Sequence, residues 1–347
     1  MSGAITEQAR VRARAVEQFL ETRGLTIAAV EDVIRGALDE PAVVLLTSSP
    51  VHGLANRLSD IDTICIVEGD GDDDGRIATQ LFAAGNHLEY ICFSRSSLER
   101  DLEYLRQVAS LASPDAVAAY GSWNSSRTVR LKYIERIVNG VATDGTMPFA
   151  DRLPDLGTVW KWASLERAAR LAAYAILAER AGENRGRLAY AANATLFAMD
   201  AVLSHHGSVC GNRKWFLLRW DRFRRTRPSG EPPLSTIEDT RAALYRIPGK
   251  APLADTLARM VAEVSNAVGT SVGALACRPV AGARELPLLP GGSLIVAPDG
   301  RAVPATEGLL GSEFKTSLAA LGELDAESAA ALLRRVRANV QRLVVWP

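Results

Sequence analysis

Residues 1–150 alternate short β-branched runs with helical stretches, 151–285 carry long alanine-rich helical segments, and 286–347 end in a hairpin signal and an amphipathic stretch. These observations predict an α+β chain: a small mixed β-sheet with helices packed on it, an α-helical bundle, and a small accessory C-terminal module, with boundaries at those positions. A length of 347 residues, 48% of them hydrophobic, is ample for packed cores.

Taken in order, residues 6–38 show helical periodicity through Val11, Ala15, Phe19 and Leu20, pause at Gly24, and resume through Ile27, Val30, Val33 and Ile34. Two helices are therefore predicted before the first strand. Strands are predicted over 42–47, 60–67, 88–93 and about 135–141, with helices around 75–84 and 96–112. Beyond Pro148 and Pro154 the character changes to helices over 159–181 and 185–204, separated by Gly182-Glu183-Asn184, with a further helix over 252–275. In the tail, 291–305 reads as a hairpin around Pro298-Asp299-Gly300, and 325–344 as an amphipathic helix.

The chemistry concentrates on Asp60 and Asp62. Residues i and i+2 of a strand project from the same face, so Ile61 turns into the core while the two carboxylates share one small volume. Like charges that close are costly unless a cation neutralises them, and Mg²⁺ prefers such hard oxygen ligands.

Upstream, the apolar run 43–46 leads through Thr47 to Ser48-Ser49, then Gly53, and Ser59 precedes Asp60-Ile61-Asp62 and the apolar run Ile64-Cys65-Ile66-Val67. This string resembles the signature of the DNA polymerase beta-like nucleotidyltransferase superfamily, especially its minimal, aminoglycoside- and lincosamide-modifying branches. Ser49 matches the signature Ser, Gly53 the later Gly, Ser59 the Ser before the acid pair, and Asp60 and Asp62 the metal ligands. The first Gly of the signature is here Ser48, and its Cβ is expected to restrict the approach of the turn amides to a phosphate.

The resemblance implies a third carboxylate on a neighbouring strand, and Glu89 in the apolar run 88–93 supplies one. It further implies two Mg²⁺ ions held by Asp60, Asp62 and Glu89, with ATP or another nucleoside triphosphate as donor. Ser48 and Ser49 would hold the β- and γ-phosphates, and a helical domain would hold the acceptor against the catalytic sheet. The implied reaction moves a nucleoside monophosphate, AMP from ATP in the first instance, onto a hydroxyl of a small molecule such as an antibiotic or natural product, with release of pyrophosphate.

Basic and aromatic residues interleave from Arg213-Lys214-Trp215 through Arg219, Trp220, Arg222, Arg224, Arg225 and Arg227. Lys214 is the expected phosphate contact, by likeness to a Lys-Trp element of helical-domain nucleotidyltransferases; the plain alternative is a solvated basic helix with Trp215 and Phe216 packed inward. His205-His206 and Cys210 suggest zinc but lack a second half to close a tetrahedral site, so the histidines read as a helix terminus. The run Asp70, Asp72, Asp74, Gly75 begins like a calcium loop, yet its closing position is Leu81 rather than Glu. Glu166 and Asp200 interrupt apolar helical faces and read as surface or inter-helix residues.

Forty Lys and Arg balance forty Asp and Glu, so net charge announces neither nucleic acid nor a membrane surface as partner. Cys65, Cys92, Cys210 and Cys277 are scattered, residues 1–14 lack an apolar signal core, and no run of about 18 apolar residues occurs. A reducing cytoplasm is expected, and the tail is assigned to protein contacts or homodimerisation. Two rival classes fit the same residues: a protein- or RNA-modifying nucleotidyltransferase of toxin–antitoxin type, and a non-catalytic nucleotide-binding scaffold, which Ser48 in place of Gly favours.

Overall fold

The computed structural model describes residues 2–38, 43–68, 78–227, 232–245, 253–270, 272, 274–287, 293–304 and 313–346. It is a mixed α+β structure that divides into two compact units: Met1–Val159 with Gly207–Trp215, and Trp160–His206 with Phe216–Pro347.

The first unit opens with α1 (Ser2–Glu21) and α2 (Ile27–Ala37). Gly24, at φ 68°, supplies the left-handed residue after α1, and the Thr26 side chain caps α2 by accepting from the N–H of Ala29. There follow β1 (Val43–Leu46), β2 (Ile61–Val67), β3 (Thr79–Ala83), β4 (Asn86–Ser94), α3 (Arg95–Ser110), α4 (Ser113–Ser126), α5 (Leu131–Asn139) and β5 (Val141–Ala142). The five strands form one sheet in the order β3-β4-β2-β1-β5, with β2 and β4 parallel and the other neighbours antiparallel. Alternation puts Asp62, Ile64 and Ile66 on one face of β2. Ile66 pairs with Phe93, whose ring lies 5.2 Å from that of Tyr133, so α5 covers the face that carries Asp62.

Two predicted elements change type. The helix expected around 75–84 is instead strand β3, joined to β4 through Ala84 and Gly85 at φ 47° and 77°. Positive φ at both central residues is what a two-residue hairpin of right-handed twist requires, and pairing to β4 overrides the helical propensity of the Ala-rich segment. The strand expected at about 135–141 is mostly the last turns of α5, with only Val141–Ala142 extended. Leu131, Ile134 and Val138 bury one side of that helix, while the buried polar residues Glu135 and Asn139 mask its period. Helix α4 had no counterpart among the predicted elements. The calcium-like run 70–75 lies outside the described residues.

The second unit takes in most of α6 (Leu153–Arg180), then α7 (Asn184–His205), α8 (Phe216–Arg225), α9 (Leu234–Tyr245) and α10 (Leu253–Ala267). Strands β6 (Ala274–Pro279), β7 (Arg284–Pro287), β8 (Ser293–Val296), β9 (Ala302–Pro304) and β10 (Phe314–Thr316) follow, then α11 (Leu318–Gly322), α12 (Ala326–Arg337) and β11 (Gln341–Trp346). The sheets are β10-β6-β11 and β7-β8-β9, the latter containing the expected hairpin of β8 and β9. The predicted helix over 325–344 stops at Arg337: Asn339 turns left-handed at φ 58°, and the β-branched residues beyond it pair with β6. Likewise α10 ends at Ala267, before Gly269 at φ 69°.

One apolar core joins Ile176 of α6, Ala198 of α7 and Leu257 of α10 to Leu321, Leu333 and Leu343 of the tail. The expected module at 286–347 thus shares the helices' core through Leu321, Leu333 and Leu343, while Ile295, Ala297, Val303 and Val340 form a small cluster of their own. Asp200 ties α6, α7 and α8 together. Its Oδ1 accepts from Arg219 Nη1 at 2.9 Å, and its Oδ2 from Ser164 Oγ at 2.8 Å and Trp160 Nε1 at 3.1 Å. Among the described residues no helix is long and apolar enough to cross a membrane.

Candidate functional site

The chain leaves β1 through Thr47, whose N–H still bonds the carbonyl of Asp62 at 3.0 Å. It then turns sharply. Ser48 sits at φ 63°, in the left-handed region that favours glycine, and Ser49 leads into a 3-10 turn over Pro50–His52 that Gly53 closes at φ 60°. Position 48 thus adopts the backbone a glycine would adopt, although its residue is Ser. The Ser48 hydroxyl is buried and has no hydrogen-bond partner among the described residues. Ser48→Gly is therefore expected to raise stability by about 1 kcal/mol, by relieving the left-handed strain and removing the unpartnered hydroxyl. Ser48→Ala keeps the strain and should gain less; denaturant midpoints of both variants against wild type measure the difference.

The loop from Asn56 to Ser59 is fastened from α1's end. Arg23 Nη2 donates to the carbonyls of Asn56 at 3.3 Å and Arg57 at 3.0 Å, and to that of Ser59. Ser59 Oγ accepts from the N–H of Asn56 at 3.0 Å, and Leu58 N–H bonds Asn56 Oδ1 at 2.9 Å. Asp60 follows immediately, at the mouth of β2, with Oδ1 3.1 Å from His87 Nδ1. Asp62 lies 4.0 Å from Arg136 of α5.

The parallel register of β2 and β4 pairs Asp62 with Glu89. Cross-strand partners project from the same face, so Glu89 belongs beside Asp62 and on the side that also carries Asp60. The three carboxylates do not converge tightly: among the described residues, the set of three donors within 4.8 Å of one another is a different one, His52, Glu135 and Cys210. Asp60 is largely exposed and faces the His87 ring, while Arg136 is the cation beside Asp62.

A pocket of about 600 Å³ opens here, within the range of small-molecule sites. Ser48, Ser49, Asp60 and Asp62 line it, as do Lys132 and Arg136 of α5 and Arg213, Lys214 and Trp215 of the returning segment Gly207–Trp215. Every lining residue belongs to the first unit. Glu89 is not among them. Lys214 Nζ stands 5.0 Å from the centroid of the Trp215 ring, and the buried indole Nε1 of Trp215 has no hydrogen-bond partner among the described residues.

The more buried wall of the pocket holds His52, Glu135 and Cys210. Burial alone would push the Glu135 carboxyl up. The hydrogen bond and charge of His52, the N–H of Gly211 and the charge of Arg136 outweigh it, and the carboxyl is held below its ordinary range. Asn139 Nδ2 donates to Glu135 Oε1 at 2.9 Å and to the carbonyl of Val209 at 3.2 Å. Buried Arg12 donates to the carbonyl of Asn139 at 3.1 Å; burial brings its pKa down to about 10, while Glu135 and Cys210 pull it back up.

Five of the six site residues expected from sequence therefore line one pocket, and Glu89 is placed next to it by strand register. Sequence reasoning missed His52, Lys132, Glu135 and Arg136, and set Cys210 with His205 and His206 instead of with His52 and Glu135. The return of 207–215 to the first unit had a weak local signal, Gly207 and Gly211 bracketing the apolar pair Val209-Cys210 after a long helix. The basic pair Lys132 and Arg136 was readable as i, i+4 neighbours once 131–139 is taken as helix.

Residues 3–346 match the model described as Family of unknown function (DUF6001). No curated protein matches the chain.

Proposed function

This chain belongs to the family of unknown function DUF6001, and from its pocket we propose that it is a Mg²⁺-dependent nucleotidyltransferase. It moves a nucleoside monophosphate, AMP from ATP, onto a hydroxyl of a small molecule and releases pyrophosphate. The observation that carries this reading is the register of Asp62 with Glu89, which sets a third carboxylate beside the Asp60 and Asp62 pair at the edge of a cation-lined pocket.

The donor set fits the metal. Asp60, Asp62 and Glu89 offer hard oxygens only, the ligand class of Mg²⁺, and their mutual repulsion favours a divalent cation among them. Bound there, Mg²⁺ would supply charge neutralisation at the α-phosphate and a lowered pKa for the attacking hydroxyl. The chain's own residues do the positioning. Ser48, Ser49 and the amides of their turn hydrogen-bond the β- and γ-phosphates. Lys214, Arg136, Lys132 and Arg213 neutralise the triphosphate as the acceptor hydroxyl gives its proton to solvent, its oxygen bonds to the α-phosphorus and the bond to the bridging oxygen breaks, the electron pair leaving with pyrophosphate. Trp215 offers a ring face for the base.

Incubation of the protein with Mg²⁺ and each α-labelled nucleoside triphosphate, with small-molecule hydroxyl acceptors, tests the reading. Pyrophosphate release with label on a small molecule is the expected result. Label on protein or RNA instead would move the assignment to the macromolecule-modifying class, and ATP binding without pyrophosphate release, unchanged by Asp60→Asn, would reject catalysis.

Lys214→Met removes one charged phosphate contact from an exposed position. A charge-assisted hydrogen bond of roughly 1.5–3 kcal/mol corresponds to a 10- to 100-fold rise in KM for the triphosphate. Steady-state kinetics with varied triphosphate measures it, and an unchanged KM would remove Lys214 from the site.

A further inference from the structure

We propose that His52, Glu135 and Cys210 form a second metal site, separate from the three-carboxylate cluster, that takes one divalent ion of borderline softness such as Zn²⁺. The inference does not depend on nucleotidyl transfer.

Three elements distant in sequence deliver the donors: the 3-10 turn Pro50–His52, helix α5, and the returning segment Gly207–Trp215. Imidazole, carboxylate and thiolate are each ordinary zinc ligands, and a sulfur donor turns the set away from Mg²⁺ and Ca²⁺. The donor atoms all lie within 4.8 Å of one another. His52 Nε2 stands 3.4 Å from Glu135 Oε1. That is long against the usual hydrogen-bond distance of about 2.9 Å. It is close to the edge of a tetrahedron built on metal bonds of about 2.0–2.1 Å, roughly 3.3–3.4 Å.

The surroundings are those of a supported site. Asn139 Nδ2 and the N–H of Gly211 both hold the Glu135 carboxylate, orienting it from behind as outer-shell groups do around metal ligands. Glu135 and Cys210 are 5% and 4% exposed, so the donors are largely withdrawn from competing water. The buried Arg12 guanidinium interacts electrostatically with both Glu135 and Cys210. All three donors also line the pocket, so three protein ligands leave a fourth position facing it, as in catalytic rather than structural zinc sites. Such an ion would bind water or a heteroatom of a small-molecule ligand.

The test uses the full-length chain, stripped with a chelator and titrated with Co²⁺ and then Zn²⁺. One equivalent of Co²⁺ should bind with a thiolate-to-cobalt charge-transfer band and tetrahedral d–d absorption, and one equivalent of Zn²⁺ should displace it. Cys210→Ser should abolish the band, Glu135→Gln should weaken Co²⁺ binding about tenfold or more, and Asp60→Asn should leave the spectrum unchanged. Absence of the band in the wild-type protein overturns the proposal. So does a band that survives Cys210→Ser or disappears in Asp60→Asn. The wild-type spectrum decides without any variant having to fold.

Discussion

Asp62→Asn is expected to abolish nucleotidyl transfer and leave the fold in place. The substitution keeps volume and shape but replaces a charged oxygen donor by an amide, removing the proposed ligand that strand register pairs with Glu89. Loss of one preorganised group facing developing charge commonly costs about 10²–10³ in kcat. Asp62 would do more, since it both holds the ion and sets its distance from the α-phosphate, so a loss of at least about 10³ is expected. Stability should change little. Asp62 is partly exposed, its nearest cation is Arg136 at 4.0 Å, and removing its charge also relieves repulsion with Glu89. The comparison needs two readouts, pyrophosphate release and the thermal midpoint; turnover at the wild-type rate in this variant would reject the metal-ligand assignment.

Arg219→Leu carries the largest expected effect on stability. Asp200 is 1% exposed and Arg219 5%, and their side chains meet at 2.9 Å. Removing the cation leaves a buried carboxylate with Ser164 and Trp160 as its donors among the described residues, and breaking such a pair costs about 3–5 kcal/mol. The deficit should depend on pH. Asp200 is pushed above its ordinary value of 3.8, burial being the largest cause, with Arg219, Ser164 and Trp160 pulling the other way. The native state therefore holds this proton more tightly than the unfolded chain. The group's contribution is full below pH about 4 and is lost as pH rises through the folded-state value. Without Arg219 the carboxyl moves higher still, so the loss should be smallest in acid and widest near neutrality. Denaturant unfolding of variant and wild type at pH 4.5 and 7.5 measures both terms, and a loss under about 1 kcal/mol at pH 7.5 would show that the pair is not the tie it is taken to be.

What could be read from the chain follows the range of the interactions. The spacing of Asp60 and Asp62 and the apolar residues after them identify a strand because alternation is local, and Glu89 stood out as a charge in an apolar run. Its pairing with Asp62 specifically was not readable, since register depends on the whole sheet. Segment 131–141 misled because Ile137, Val138 and Val141 favour extended chain, while Glu135 and Asn139 occupy buried positions where an amphipathic helix would show apolar residues. Their burial reflects the polar cluster with His52 and Arg12, and such a cluster is invisible until the chain is folded. The same holds for Cys210. Next to His205 and His206 in sequence it suggested an incomplete zinc site, whereas in space it joins His52 and Glu135. Lys214 was legible as a cation beside an aromatic residue, but its place in the pocket comes from the chain re-entering the first unit at 207–215.

The most direct measurement is a structure of the protein soaked with Mg²⁺ and a non-hydrolysable nucleoside triphosphate. The expected result is Mg²⁺ held by Asp60, Asp62 and Glu89, with the triphosphate running from them to Ser48, Ser49 and Lys214. A triphosphate bound elsewhere, or bound in this pocket with Glu89 turned away and no other acid completing the set, would contradict the assignment.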